Sequence, residues 1–136
     1  MTQECTLVYE TEPPIQFTVV DNTGIEKGAI LMLSDPMTAA LASGDDDYVA
    51  GIAAEEKIAN DGKTKLAVYR RGIFKGYANG NITCGMPIGT YNGTGDDNDI
   101  HQAGSGHDKQ MGIALETAAN DETFLFELLP LTRDEA

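Results

Sequence analysis

The chain contains the stretch Gly51-Ile52-Ala53-Ala54-Glu55-Glu56-Lys57-Ile58-Ala59-Asn60-Asp61-Gly62, and a second version of it occurs as Gly112-Ile113-Ala114-Leu115-Glu116-Thr117-Ala118-Ala119-Asn120-Asp121-Glu122. With one deletion, the two versions share Gly-Ile-Ala-x-Glu followed by Ala-Asn-Asp. Upstream of each version, in the same order, lies a second matching pair, Ile25-x-x-Gly28 and Ile82-x-x-Gly85. Patterns that recur in the same order indicate a duplicated structural unit.

The duplication predicts one β domain over residues 15–130, built from two related units at 25–77 and 82–130. We expect each unit to begin with a tight glycine turn that leads into a short apolar strand. Four glycines take equivalent positions in this scheme: Gly28 and Gly85 in the turns, and Gly51 and Gly112 at the start of the repeated stretch.

Turn residues and alternating apolar residues predict strands in both units. Asn60-Asp61-Gly62 tolerates the positive φ that a tight hairpin needs, which predicts a hairpin with arms 48–58 and 64–77. A second hairpin is predicted with arms 110–117 and 123–129. Fifteen glycines and no tryptophan fit the same all-β class.

One segment, residues 35–44, has two readings. Asp35 at the N-cap, Pro36 in the first turn and Gly44 at the end are typical of a short helix. The equivalent stretch, 99–103, is a poor helix and a fair edge strand. The repeat therefore favours a strand in both places.

The two ends of the chain lie outside the duplication. Thr6-Leu7-Val8-Tyr9 has the composition of a strand, but residues 10–14 separate it from the rest. We predict that residues 1–14 are an N-terminal arm that orders on a partner, with contacts from Thr6, Leu7, Val8, Tyr9, Pro13 and Pro14. Residues 131–136 form a short acidic tail.

Composition and charge exclude several classes of function. The chain has 136 residues, enough for one domain, and a net charge of −13, which repels nucleic-acid phosphates and anionic membranes. No apolar run approaches the ~20 residues of a membrane span, and the N-terminus lacks the pattern of a signal peptide, so we expect folding in a cytoplasm. Cys5 and Cys84 match no metal spacing and are interpreted as buried or free thiols.

The motifs of common active sites are missing from the sequence. The glycine-rich stretch 89–95 has no lysine and opens no helix, so it does not match a phosphate loop. Ser105 lies two residues before His107, and its surroundings fail the Gly-x-Ser-x-Gly pattern. The acidic stretch 93–108 fails the calcium-loop spacing and is interpreted as a solvated loop. We predict no catalytic, cofactor or metal-binding residue.

Glu55 and Glu116 occupy equivalent positions in the two repeats. Two carboxylates could perform acid–base chemistry if they converged. In a duplicated structure, equivalent positions lie on opposite sides, so we predict a structural role for both glutamates.

The motif order resembles a known family. Ile25-x-Lys-Gly-x-Ile-Leu31 is followed by Val49-Ala-Gly-Ile-Ala53 and Val68-x-x-x-Gly-Ile-Phe74; the second round gives Met111-Gly-Ile-Ala-Leu-Glu-x-Ala118 and Phe124-x-Phe-Glu-Leu-Leu-Pro130. This order is similar to that of the small capsid cement, or head decoration, proteins of tailed phages and archaeal tailed viruses, over residues 15–130. The stretch 93–108 is longer than in that pattern, and the arm lies outside it.

The resemblance implies a fold, a partner and a place. It implies a small β-barrel or β-tulip-like domain that assembles as a homotrimer on the outer surface of the virion. The partner would be the major capsid protein, and the role would be to clamp neighbouring capsid subunits after the head expands. No reaction, no cofactor, no nucleic acid and no membrane is implied.

Two other classes of function remain open. One is a different virion β-barrel, either a tail tube subunit, for which 48–77 would be the ring-stacking hairpin, or a glycan-binding module. The second is a small trimeric nucleotide hydrolase of the dUTPase type, but residues 131–136 do not match the Arg/Gly-rich C-terminal arm that those enzymes use.

Overall fold

The fold is given by a computed structural model that describes residues 4–42, 48–91, 98–103 and 109–132. All the regular secondary structure in these ranges is β-strand, as the sequence predicted. No helix in them is long and apolar enough to cross a bilayer. The strands are β1 Thr6–Tyr9, β2 Ile15–Thr18, β3 Ile30–Asp35, β4 Thr38–Leu41, β5 Val49–Ala53, β6 Lys65–Tyr69, β7 Gly72–Ala78, β8 Pro87–Thr90, β9 Asp99–Gln102, β10 Lys109–Ala114 and β11 Thr123–Thr132.

Ten of the described strands form two small closed barrels of five strands each. Barrel 1 has the order β2-β4-β3-β5-β6 and closes between β6 and β2. Barrel 2 has the order β7-β11-β10-β8-β9 and closes between β9 and β7. In each barrel the first and third strands pair in parallel and the other pairs are antiparallel. The predicted all-β fold with an internal duplication is confirmed.

The hydrogen bonds of the turns recur in both barrels. The Gly28 N–H donates to Ala53 O at 2.9 Å, and the Gly85 N–H donates to Ala114 O at 2.7 Å. Ile25 forms a two-way bridge with Lys57, as Ile82 does with Ala118. These matches fix which residues correspond.

The arm predicted over residues 64–77 requires a correction. It is two strands, β6 and β7, and they belong to different barrels. The chain leaves barrel 1 at Arg70-Arg71 and enters barrel 2 at Gly72, so each barrel begins one strand earlier than the units 25–77 and 82–130. The long hairpin 48–77 that a tail tube subunit would need is therefore divided between the barrels.

The segment 35–44, for which the sequence allowed either a helix or a strand, contains a strand. Residues 38–41 form β4, and the equivalent residues 99–102 form β9. Pro36 and Met37 make the turn before β4, where Met37 has a φ of 50° and its carbonyl accepts the Thr18 N–H at 2.8 Å. A helix would lose this link between β2 and β4.

The core has two clusters of buried apolar residues. One lies inside barrel 1 and includes Phe17 and Leu31. The other fills barrel 2 and continues across the junction to Ile30 and Ile52 of barrel 1, and to Cys5. The junction between the barrels is thus part of a continuous core.

Candidate functional site

The N-terminal segment lies against the chain itself. Strand β1 pairs antiparallel with β7, with Thr6 opposite Lys75 and Leu7 opposite Phe74. Leu7 packs against the core of barrel 2. The expectation that this segment orders only on a partner is therefore wrong for residues 6–9, because β7 offers a strand edge that β1 occupies.

The predicted contact residues are divided between core and surface. Thr6, Val8 and Tyr9 are exposed on β1, Pro13 is exposed and Pro14 is half-buried, whereas Leu7 faces the barrel. Since the backbone of β1 is held by β7, the side chains of Val8 and Tyr9 form a fixed apolar patch, which we call the β1 patch. That these residues contact a partner stays a prediction.

Asn98 joins three parts of the molecule at the barrel junction. Its Oδ1 accepts the Ile30 N–H at 2.8 Å, and its Nδ2 donates to Gly28 O at 2.8 Å and to Cys5 Sγ at 3.5 Å. All three partners lie on barrel 1 or the N-terminal segment. Sequence reasoning missed Asn98 because it falls in the acidic stretch that was interpreted as solvated.

The two cysteines differ in reactivity. Burial, with a smaller contribution from Glu4, raises the pKa of the Cys5 thiol to about 12, whereas Cys84 is exposed. Because the thiolate is the reactive form, we expect maleimide at pH 7 to label the folded chain once, at Cys84, and the denatured chain twice. Intact mass and peptide mapping measure this, and rapid labelling of Cys5 in the folded chain would contradict the buried placement.

The four repeat glycines lie at corresponding positions. Gly51 is opposite Leu31, as Gly112 is opposite Ile88. A Cβ on Gly51 would overlap the carbonyl oxygen of Tyr69, and a Cβ on Gly112 would overlap that of Glu127. Gly28 and Gly85 have φ of 88° and 89°, a conformation that glycine adopts at little cost.

Glu55 and Glu116 do not converge on one site. Glu55 accepts the Ala67 N–H at 2.9 Å in barrel 1, and Glu116 accepts the Leu125 N–H at 2.9 Å in barrel 2. Hydrogen bonds from Lys63 and from the Ala67 N–H lower the pKa of Glu55. Both glutamates thus satisfy a backbone donor of a neighbouring strand.

A buried lysine that the sequence did not single out holds the long turn of barrel 1 together. Lys57 Nζ donates to Asp21 Oδ1 and Asp21 O, both at 2.9 Å, to Ile58 O at 2.7 Å and to Asp61 Oδ1 at 2.6 Å. Burial lowers the pKa of Lys57, but the bonds with Asp61 and Asp21 outweigh it, so the pKa is raised. The repeat contains an indication of this role, because a charged residue, Lys57, takes the position of the apolar Ala118, and a carboxylate, Asp61, follows four residues later.

Part of the acidic stretch 93–108 lies outside the described residues, including Ser105 and His107. Within the described ranges, no group of three or more His, Cys, Asp or Glu side chains is placed to hold a metal ion. His101 packs against Tyr91, with ring centroids 5.3 Å apart.

Comparison with known proteins gives the family. The family model described as phage cement protein matches residues 9–128, most of the chain. The chain belongs to the phage cement protein family. Membership supports a structural role in the virion that is associated with the capsid, and it suggests a non-enzymatic function.

This cement protein also has a structural relative. It is similar to the crystal structure of the head fiber gp8.5 N base in bacteriophage phi29, with a TM-score of 0.57 and 14% identity over 89% of this chain and 98% of that chain. At this identity the likeness shows a shared fold. No curated protein matches the chain.

Proposed function

We propose that this chain binds the outside of the virus head as a homotrimer, contacts the major capsid protein and clamps neighbouring capsid subunits after expansion. The match to the cement family over residues 9–128 carries this proposal. The chain would be made in the host cytoplasm, with the two barrels and strand β1 acting as one folded unit. No catalytic step and no cofactor is part of it.

The β1 patch is our candidate for the capsid contact. Val8 and Tyr9 are large, apolar and exposed, and aromatic residues at such positions often supply much of the binding energy of an interface. Because β7 already holds β1 in place, binding does not require the strand to order, which lowers the entropic cost of association. Repetition of modest contacts over a symmetric lattice then gives a strong total attachment.

The charge of the chain adds a condition on the partner. A net charge of −13 favours a site on the capsid with an excess of Lys and Arg, since complementary charge steers association. Exposed charges are screened by salt. The rate of attachment should therefore fall as the salt concentration rises.

Co-sedimentation with expanded, undecorated capsid shells of the encoding virus tests the proposal. We expect saturable binding at a fixed ratio to the capsid protein, and shells that survive higher temperature. Replacing Val8 and Tyr9 with serine keeps Leu7 in the core and is expected to weaken binding at least about tenfold. Tyr48→Ser, at an exposed tyrosine elsewhere, is the matched control.

Two results would count against this account. Absence of binding by the wild-type chain at any concentration would refute the capsid role. Equal binding by the wild-type and serine variants would remove the β1 patch from the proposal and leave the capsid role to another surface.

A further inference from the structure

The two barrels share a fold, but the same end differs in exposure between them: it is buried in barrel 2 and exposed in barrel 1. Strand pairing shows which residues of the two barrels correspond. Ile15 pairs with Val68 and Phe74 pairs with Phe126, so Ile15 corresponds to Phe74. Leu33 pairs with Ala39 and Thr90 pairs with Ile100, so Leu33 corresponds to Thr90. Thr18 pairs with Thr38 and Tyr77 pairs with Asp99, so Met37, just before β4, corresponds to Asn98, just before β9. In barrel 2 these positions are covered: Phe74 is 1% exposed, Thr90 3% and Asn98 6%.

The same end of barrel 1 is open and apolar. We call it the open end, and it consists of Ile15 (45% exposed), Leu33 (42%) and Met37 (54%). The edge of β2 is also unpaired here among the described residues: β4 pairs with β2 only at Thr18, whereas β1 covers the matching edge of β7.

The end of barrel 2 is covered in part by the side of barrel 1. Asn98 bonds to Ile30 N and Gly28 O, and the Phe74 ring meets the Tyr69 ring edge-on at 5.7 Å between centroids. On this side of barrel 1, Ile30 and Ile52 are buried. The junction is therefore formed by an end of one barrel and a side of the other.

Within the described part of the chain, nothing is shown to cover the matching side of barrel 2. We call it the free side, and it consists of Gly85, Pro87 and Ile113, which correspond to Gly28, Ile30 and Ile52. Gly85 is exposed, a Cβ on it would meet no atom within 4 Å, and Ile113 is 38% exposed. At Gly28, by contrast, a Cβ would meet Glu4 and Cys5.

This asymmetry decides the type of contact. In a two-fold arrangement, corresponding residues of the two barrels would be buried alike. Here Ile52 is buried and Ile113 is exposed, so the junction is head-to-tail. A head-to-tail contact leaves one end and one side unused, and copies joined through them form a ring when the rotation closes.

The unused surfaces are also matched in chemistry. At the internal junction a polar side chain, Asn98, satisfies the N–H of Ile30. At the unused surfaces the corresponding residues are Met37 and Pro87, and proline has no N–H to satisfy. Methionine packed on proline would bury apolar surface without leaving a backbone N–H donor unpaired.

We propose that the open end of barrel 1 packs on the free side of barrel 2 of a second copy, repeating the internal junction between molecules, and that three copies close a ring. Six barrels then surround one axis, and each barrel is related to the next by a rotation of one sixth of a full turn. This inference rests on the trimer in the proposed function and not on binding to the capsid. Purified protein alone therefore tests it.

Sedimentation of single-site variants is the first test. The wild type is expected at three times the 14.5 kDa of one chain, and Met37→Asp and Ile113→Asp are each expected to weaken association at least about tenfold, since a charge would be buried at the contact. Ile58→Asp, at an exposed isoleucine outside both surfaces, should sediment as wild type. Circular dichroism establishes that each variant is folded.

Cross-linking distinguishes head-to-tail from two-fold contact. Cys84 is exposed and adjoins Gly85, so a chain with Met37→Cys carries one thiol at each surface. A short bismaleimide should join the chains into a product that stops at three copies, and adding Cys84→Ser should abolish it.

A wild type that sediments as one chain, variants that remain trimeric, or cross-linked dimers that persist without Cys84 would each overturn the inference. A chain that trimerises as described but ignores capsid shells would refute the capsid role and leave this inference standing. The two failures are thus separable.

Discussion

Gly112→Ala is expected to prevent folding. The added Cβ would overlap the carbonyl oxygen of Glu127 on β11 and lie 3.0 Å from its carbonyl carbon. Both are backbone atoms of a strand held in the barrel by its neighbours, so no side-chain rotation relieves the clash. We expect a loss of more than about 4 kcal/mol, and thus insoluble protein or an unfolded far-ultraviolet circular dichroism spectrum.

Gly80→Ala is the matched control, because its cost comes from the backbone conformation alone. A Cβ on Gly80 meets no atom within 4 Å, but the φ of 80° is unfavourable for alanine. The expected cost is about 1 kcal/mol, or roughly 4 °C in melting temperature. If Gly112→Ala melted as close to wild type as Gly80→Ala, the close approach of β10 and β11 would be wrong.

Lys57→Met is expected to lower the melting temperature by roughly 10 °C. Methionine is unbranched and one heavy atom shorter than lysine, and it leaves the carboxylates of Asp21 and Asp61 close together without their shared cation. It also leaves the carbonyls of Asp21 and Ile58 without this donor. Differential scanning calorimetry measures the change.

Lys63→Met is the control for this variant. Lys63 forms a bridge with Glu55 at 2.8 Å, but both side chains are exposed to solvent, and such bridges contribute little to stability. We expect a shift of no more than about 2 °C. Equal melting of the two variants would mean that Lys57 is not the anchor of the turn.

Acid should reduce the difference between wild type and Lys57→Met, because the part that depends on the ion pair with Asp61 is lost. The hydrogen bond from Lys57, with that from the Lys63 N–H, lowers the pKa of Asp61 from 3.8 to about 2. A lowered pKa contributes stability above pH 3.8, and the contribution is lost as pH falls toward 2. We expect the two melting temperatures to converge across that range; a constant difference down to pH 2 would contradict the ion pair.

Much of the fold could be predicted because the two copies keep the same residue at positions where the backbone geometry allows little besides glycine. Gly51 and Gly112 stand where a strand approaches too closely for a Cβ, so both copies keep glycine. The preference for strands in β4 and β9 came from the same comparison of copies. The first strands, β2 and β7, share no such requirement and have different sequences, which is why the repeat limits missed them.

The junction could not be predicted from local pattern. Asn98 bonds to Ile30, 68 residues away, and its counterpart Met37 gives no sign of the role until the strands are aligned. Strand β1 was predicted as a strand, but its pairing with β7 depends on where barrel 2 begins. Lys57 was visible only as one of several mismatches between the two copies, opposite Ala118.

The central claim is attachment to the outside of the capsid, and cryo-electron microscopy of the encoding virus tests it most directly. Particles made with and without the gene for this chain would be compared after head expansion. The account predicts density on the outer surface that fits two barrels per chain, lies between neighbouring capsid subunits and is missing from particles made without the gene. Identical shells in both preparations, or density confined to the tail, would contradict it.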